Sequence, residues 1–167
     1  MSSLTHLDEQ GQIRMVDVSE KEKSFRVAMA FARVKFPETA FAVVLDDSNP
    51  KGELFATVRL AGIQAAKRTS GLIPLAHPVA LTQVEVEIEA SPEDCSLEIF
   101  VTVRARDATG VEMEAMTGAS LAALTVYDMC KGLARGITVE QIKLLKKQGG
   151  KSGDWKASDA ANQNVDF

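Results

Sequence analysis

Hydrophobic and polar residues alternate along two neighbouring stretches in the middle of the chain. From 81 to 90, valine and isoleucine alternate with glutamate, and from 97 to 106 apolar residues again occupy every second position. A period of two is typical of a β-strand that buries one face. Residues 91–94 between the stretches have turn composition, so the pattern predicts a β-hairpin with one face toward solvent.

Apolar side chains recur every three or four residues in two longer stretches, which predicts two amphipathic helices. The first covers residues 53–69, where Gly62 indicates a close contact with a neighbouring helix. The second covers residues 116–131, and its repeating positions are small, so this helix should also lie close to whatever covers it. A shorter helix should follow Pro37, which suits a first helical turn.

Two further stretches complete the predicted sheet. Residues 24–36 read as a strand with Phe25, Val27 and Met29 on one face, and residues 137–145 read as a last strand after Gly136. The order strand, helix, strand, strand, helix, strand predicts an α+β fold of the ferredoxin-like, split βαβ type. In this fold an antiparallel sheet carries its helices on one face.

We expect a single domain over residues 1–167, with a polar, mobile arm over 1–23 and a tail rich in glycine and lysine over 146–167. The arm contains Met15, Val16 and Val18, which could pack on a partner. The uncovered sheet face and the small-residue helix faces both favour self-association.

The composition narrows the function. Hydrophobic residues make up 46% of the chain and charged residues 25%, which is ordinary for a globular protein. No apolar run approaches the roughly 20 residues that span a bilayer, and the first residues lack a signal peptide's apolar core, so a cytoplasmic location is expected. A net charge of −4 argues against nucleic-acid binding. Cys95 and Cys130 are far apart, which indicates neither a disulfide framework nor a zinc site.

Two pairs of charged residues, one near each end of the second helix, are candidates for chemistry. Residues 111–115 alternate, which predicts an extended segment with Glu112 and Glu114 on one side. Asp128 and Lys131 lie three apart late in an apolar helix and therefore share a face. Exposed glutamates are ordinary, so solvated side chains are the simpler interpretation of Glu112 and Glu114 alone, and a surface pair is the simpler one of Asp128 and Lys131.

The spacing of these groups restricts how they could share a substrate. On one straight helix Glu114 and Asp128 would be about 21 Å apart, at roughly 1.5 Å per residue. Either the acidic pair precedes the helix and folds back, or a second subunit supplies it.

The remaining candidates are basic. His77 lies in a loop bracketed by prolines. Histidine is the residue type most suited to proton transfer near neutral pH, so a functional role is as plausible as a structural one. Lys51 sits in a predicted loop, and residues 143–156 contain five lysines against one aspartate, with glycines that could wrap a phosphate. The candidates are one histidine, several lysines and several carboxylates, which suit proton transfer on an anionic substrate. They include neither a group of metal ligands nor a nucleophile triad.

Five segments together resemble one known family, that of the cyclic pyranopterin monophosphate synthases of molybdenum cofactor biosynthesis, the MoaC proteins. The segments keep the family's order and span nearly the whole chain: LTHLDEQGQIRMVDVS, KGELFATVRLAGIQAAKRT, LIPLAHP, TGVEMEAMTGASLAALTVYDMCK and GGKSGDW.

The resemblance implies an enzyme that converts 3′,8-cyclo-7,8-dihydroguanosine 5′-triphosphate to cyclic pyranopterin monophosphate and releases pyrophosphate. It implies a homo-hexamer, a trimer of dimers, with active sites at subunit interfaces, and no resident cofactor or metal. A separate iron–sulfur radical enzyme makes the substrate, which agrees with the absence of a cysteine cluster here.

The resemblance also implies roles for individual residues. Asp128 matches the catalytic aspartate, with Lys131 beside it. The positions that match substrate contacts are Leu75, Ala76, His77, Met113 and Glu114 with the adjacent Glu112, and the lysines Lys51, Lys67, Lys147 and Lys151. Ala76 departs from the family, which commonly has cysteine there, so backbone contacts at this position would survive but a thiol role would not. The loop before Lys51 also differs.

Two other functions fit the same fold. One is a ligand-binding module for a phosphorylated purine that performs no catalysis, against which the Asp128–Lys131 pair inside an apolar helix argues. The other is an RNA-binding domain, which the acidic charge and the lack of strand aromatics disfavour.

Overall fold

Five strands form one antiparallel sheet in the computed structural model, which describes residues 6–8, 10–46, 51–151 and 153–158, with the backbone alone at residues 51 and 52. The strands are β1 (Ser24–Lys35), β2 (Leu81–Ser91), β3 (Ser96–Asp107), β4 (Thr138–Gln148) and β5 (Trp155–Lys156). Their order across the sheet is β2-β3-β1-β4-β5, which places β3, β1 and β4 in its interior. The predicted hairpin is confirmed, because β2 and β3 pair from Leu81 to Ser91.

Two long helices cover one face of this sheet. The helices are α1 (Glu38–Leu45), α2 (Lys51–Lys67), α3 (Thr69–Leu72) and α4 (Glu112–Cys130). Helix α4 packs on β1, β3 and β4, and α2 packs on β2 and on α4. The α+β, ferredoxin-like fold is therefore confirmed. None of the helices in the described segments is both long and apolar enough to cross a bilayer.

The alternating side chains of β1 serve two different surfaces. Ala28, Ala30 and Ala32 are fully buried in the main core, and their small size lets α4 lie close to the sheet. Met29 and Phe31 point to the opposite face and join a smaller cluster with residues of β3 and β4. The apolar face expected from the sequence is thus the one turned away from the long helices.

Glycine makes the crossing of α2 and α4 close. A Cβ built at Gly118 would lie 2.9 Å from Cγ1 of Val101 and 3.2 Å from the carbonyl oxygen of Gly62. The contact expected at Gly62 is confirmed. Gly62 faces Ala122 whereas Ala66 faces Gly118, so the two helices run antiparallel.

Three local predictions were wrong. Residues 111–115 are not extended, since α4 begins at Glu112. Val111 and Ala115 are both buried while Met113 between them is 43% exposed, so burial follows a spacing of four residues and not of two. Lys51 begins α2 and does not lie in a loop. The helix predicted to run to residue 69 ends at Lys67, and a separate short helix, α3, begins at Thr69.

The two ends of the chain also differ from the prediction. Residues 146–148 belong to β4, and β5 pairs with β4 inside the segment expected to be a tail. In the arm, Leu7 forms a bridge with Ile13, and the Val16 carbonyl accepts a hydrogen bond from His77. The described part of the arm is therefore in contact with the domain.

Candidate active site

A cleft of about 660 Å³ lies at one end of the fold, between the arm, the loop over residues 73–79 and the first turn of α4. Its walls include five of the predicted site residues: Leu75, Ala76, His77, Met113 and Glu114. These residues come from two segments that the fold brings together, because the loop precedes β2 and α4 follows β3, the neighbouring strand.

Glu114 is a buried acidic residue in the wall of this cleft. Its side chain is only 4% exposed, so the solvated glutamate that the sequence favoured is wrong here. Burial raises the pKa of Glu114 to about 7, and the negative charge of Glu112 adds to the rise. A carboxyl group with this pKa can both take up and release a proton near neutral pH.

His77 contacts the arm across the cleft. Its Nε2 lies 2.8 Å from the carbonyl oxygen of Val16, so Nε2 carries the hydrogen and donates it. The turn that precedes it is closed by the backbone N–H of Ala76, which donates to the Ile73 carbonyl at 3.1 Å. Ala76 therefore contributes backbone and one methyl group to the wall.

Glu112 is held by a lysine from another element. Its Oε1 lies 3.2 Å from Nζ of Lys147 on β4, and both side chains are less than one-third exposed, at 31% and 23%. The fold thus brings two predicted site residues together that lie far apart in the chain. A partly buried ion pair of this kind fixes the direction of both side chains.

Asp128 and Lys131 lie at the other end of α4. Nζ of Lys131 is 2.6 Å from Oδ1 of Asp128, and this hydrogen bond raises the pKa of Lys131. The pair lines a second hollow of about 470 Å³ beside Tyr127. The two side chains are 69% and 62% exposed, so in the single chain Asp128 and Lys131 form a surface pair, which was the simpler interpretation of the sequence.

The distance between the two groups follows from helix geometry. Glu114 and Asp128 lie on the same unbroken helix, Glu112–Cys130. At roughly 1.5 Å per residue the fourteen steps between them span about 21 Å. The alternative in which the acidic pair folds back is therefore wrong, and within one chain the two groups cannot meet on one small substrate.

The predicted lysines divide between the same two ends. Lys67 is the last residue of α2 and is exposed, and Lys151 is exposed in the turn after β4. Because α2 runs antiparallel to α4, Lys67 lies toward the cleft, whereas α2 begins, at Lys51, toward the Asp128 end. The side chain of Lys51 lies outside the described residues.

Several groups in the basic segment over residues 143–156, which the sequence suggested could bind a phosphate, already contact other parts of the chain. Lys143 lies over the ring of Phe31 with Nζ 5.3 Å from the ring centre, and Lys146 is 5% exposed. The backbone N–H of Gly149 donates to Asp154 at 3.1 Å, so the glycine turn already holds a carboxylate of its own.

The sequence did not identify the contribution of the arm to the cleft. Five arm residues line it: His6, Ile13, Val16, Val18 and Lys21. The apolar residues near position 16 were the available signal, since such residues in a polar segment usually pack on something. Among the described residues, no three histidine, cysteine or acidic side chains are grouped closely enough to hold a metal ion.

Comparison with known proteins identifies the family of this chain. The sequence profile described as "MoaC family" matches residues 15–150, which include both ends of α4 and the loop of His77. A protein of Thermomicrobium roseum named cyclic pyranopterin monophosphate synthase is 50% identical over 159 residues, covering 95% of this chain and 96% of its own length. On both grounds, the chain belongs to the MoaC family.

Proposed function

We propose that this protein is an enzyme of molybdenum cofactor biosynthesis that forms cyclic pyranopterin monophosphate from 3′,8-cyclo-7,8-dihydroguanosine 5′-triphosphate. The observation that carries the proposal is the cleft in which Glu114, with a pKa of about 7, meets the His77 loop. Membership of the family and the name of the Thermomicrobium roseum relative support the same reaction.

The chemistry requires both proton transfer and anion binding. To make a cyclic monophosphate from a triphosphate, a substrate hydroxyl oxygen must bond to the α-phosphorus while the bond to the β-phosphate oxygen breaks. The hydroxyl proton passes to a base, and the departing pyrophosphate carries the negative charge away. Carboxylates supply the base and lysines stabilise the charge on the leaving group.

In this proposal Asp128 and Lys131 perform the proton transfers, while Glu114, Met113 and the loop over 75–77 hold the substrate. The 2.6 Å hydrogen bond between Asp128 and Lys131 supports this assignment, because it provides a donor and an acceptor in direct contact. In this proposal Glu112, Lys67, Lys147 and Lys151 contact the substrate's polar edges and phosphates. Lys51 would add charge from the Asp128 end.

A second subunit completes the site. About 21 Å separates Glu114 from Asp128, at roughly 1.5 Å per residue, so one cleft needs the Asp128 end of another chain. A two-fold axis would then create two such sites at once, since each subunit gives one end and receives the other. We propose a hexamer built from three such dimers, each chain a single domain, working in the cytoplasm.

The proposal predicts pyrophosphate release from the cyclic dihydro-GTP intermediate. The purified protein should release one pyrophosphate for each cyclic pyranopterin monophosphate formed, and GTP itself should yield none, because its ring system has not been rearranged. The measurement couples a pyrophosphatase assay with chromatography of the pterin product. Tight binding of the intermediate without pyrophosphate release would instead favour the binding module.

A further inference from the structure

Gly110 lies directly beneath the carboxylate of Glu112, in the connection between β3 and α4. A Cβ built at Gly110 would lie 2.7 Å from the carboxyl carbon of Glu112 and 2.8 Å from its Oε1, and closer still to Oε2. These distances leave no room for a methyl group while the carboxylate stays in place. Gly110 also lines the cleft, so the carboxylate rests against the cleft wall.

The backbone does not require glycine at this position. The described glycines with positive φ are Gly11, Gly136, Gly149, Gly150 and Gly153. Because Gly110 is not among them, its backbone conformation would accept an L-amino acid without strain. The missing side chain therefore matters for space and not for conformation.

The atoms that fill this space belong to the end of a flexible side chain. Glu112 could rotate away from an added methyl group at little cost to the fold, because no other group lies among the three nearest atoms. Rotation would, however, move its Oε1 away from Nζ of Lys147, now 3.2 Å distant. A side chain at position 110 should thus disturb the ion pair far more than the stability.

We propose that Gly110 is a positioning residue. Because it has no side chain, it leaves the space in which the Glu112 carboxylate lies while it pairs with Lys147 beside the cleft. The inference rests on the proposed function, in which Glu112 and Lys147 contact the substrate. Misplacing such a group by about 1 Å costs on the order of a hundredfold in rate.

The test compares four proteins: the wild type, Gly110→Ala, Glu112→Ala and the double variant. Gly110→Ala should lower kcat/KM by about tenfold to a hundredfold. The fall in kcat and the rise in KM should also be in the same proportion for Gly110→Ala as for Glu112→Ala. In the double variant the methyl group has no carboxylate to displace, so its kcat/KM should equal that of Glu112→Ala. Gly71→Ala, at a glycine with open space around it, is the matched control and should keep both activity and melting temperature.

Three results would overturn the inference. One is full activity of Gly110→Ala, and another is a double variant that loses the product of the two single losses. The third is a melting temperature of Gly110→Ala well below that of Gly71→Ala, because the glycine would then be needed for the stability of the fold. An inactive wild type would instead contradict the proposed function, which separates the two failures.

Discussion

Replacing Asp128 with asparagine should lower kcat by about a hundredfold to ten thousandfold, the range that a positioned acid or base contributes. The amide keeps the size of the side chain but cannot take up a proton at neutral pH. Because Asp128 is 69% exposed in the single chain, its replacement should leave the fold intact. The variant also loses the negative charge of Asp128, which contributes to the raised pKa of Lys131, so both members of the pair are affected.

The measurement is steady-state kinetics on folded protein, with circular dichroism and the melting temperature recorded alongside. Asp94→Asn is the matched control, since Asp94 is also an exposed aspartate near an opposite charge, 3.9 Å from Arg33. It should keep normal kinetics. Near-normal kcat in a folded Asp128→Asn protein would contradict the role of Asp128 in proton transfer.

Glu114→Gln should change the pH dependence of stability more than replacement of any other acidic residue in the part of the chain that the structure describes. The pKa of Glu114 rises from an ordinary 4.5 to about 7 in the folded protein, chiefly because the side chain is buried. The folded state therefore holds this proton more tightly than the unfolded state does. Its stabilising contribution is complete below pH 4.5 and is lost as the pH rises to 7.

The size of the effect follows from the two pKa values. A difference of about 2.5 units corresponds to about 3 kcal/mol in the free energy of unfolding, at about 1.4 kcal/mol per unit. Glutamine is neutral at every pH, so Glu114→Gln should match the wild type below pH 4.5 and become more stable than it above pH 7.

Urea unfolding at a series of pH values measures this difference. Glu87→Gln on the exposed side of β2 is the control and should follow the wild type throughout. Parallel curves for Glu114→Gln and the wild type would show that Glu114 does not carry the buried proton.

The β2–β3 hairpin of the sheet could be predicted from the sequence because apolar and polar residues alternate along its strands. Apolar residues occupy every second position from Val84 to Ala90 in β2 and from Leu97 to Ala105 in β3. Such alternation specifies which side chains turn to the core and so fixes the register. The start of α4 could not be read in the same way. Five residues fit a period of two and a spacing of four equally well. Only the exposure of Met113, between the buried Val111 and Ala115, decides between them.

The sequence could name candidate site residues, but it could not predict their burial or which of them form pairs. The resemblance pointed to Glu114 and Lys147, but the burial that raises the pKa of Glu114 depends on the loop and the arm that enclose it. The pairing of Lys147 with Glu112 depends on the position of β4 in the sheet. Asp128 is exposed in the single chain, and in the proposed assembly another subunit would cover it.

Mixing two inactive variants tests the shared site most directly. Glu114→Gln removes the cleft carboxyl group and Asp128→Asn removes the carboxylate at the far end of α4, and each pure variant should be inactive. If every site takes Glu114 from one subunit and Asp128 from another, a random mixture contains both intact groups in about a quarter of its sites. Co-expression of the two variants should therefore restore about a quarter of wild-type pyrophosphate release. No restoration in mixed assemblies, verified by affinity tags on each variant, would contradict a site shared between subunits.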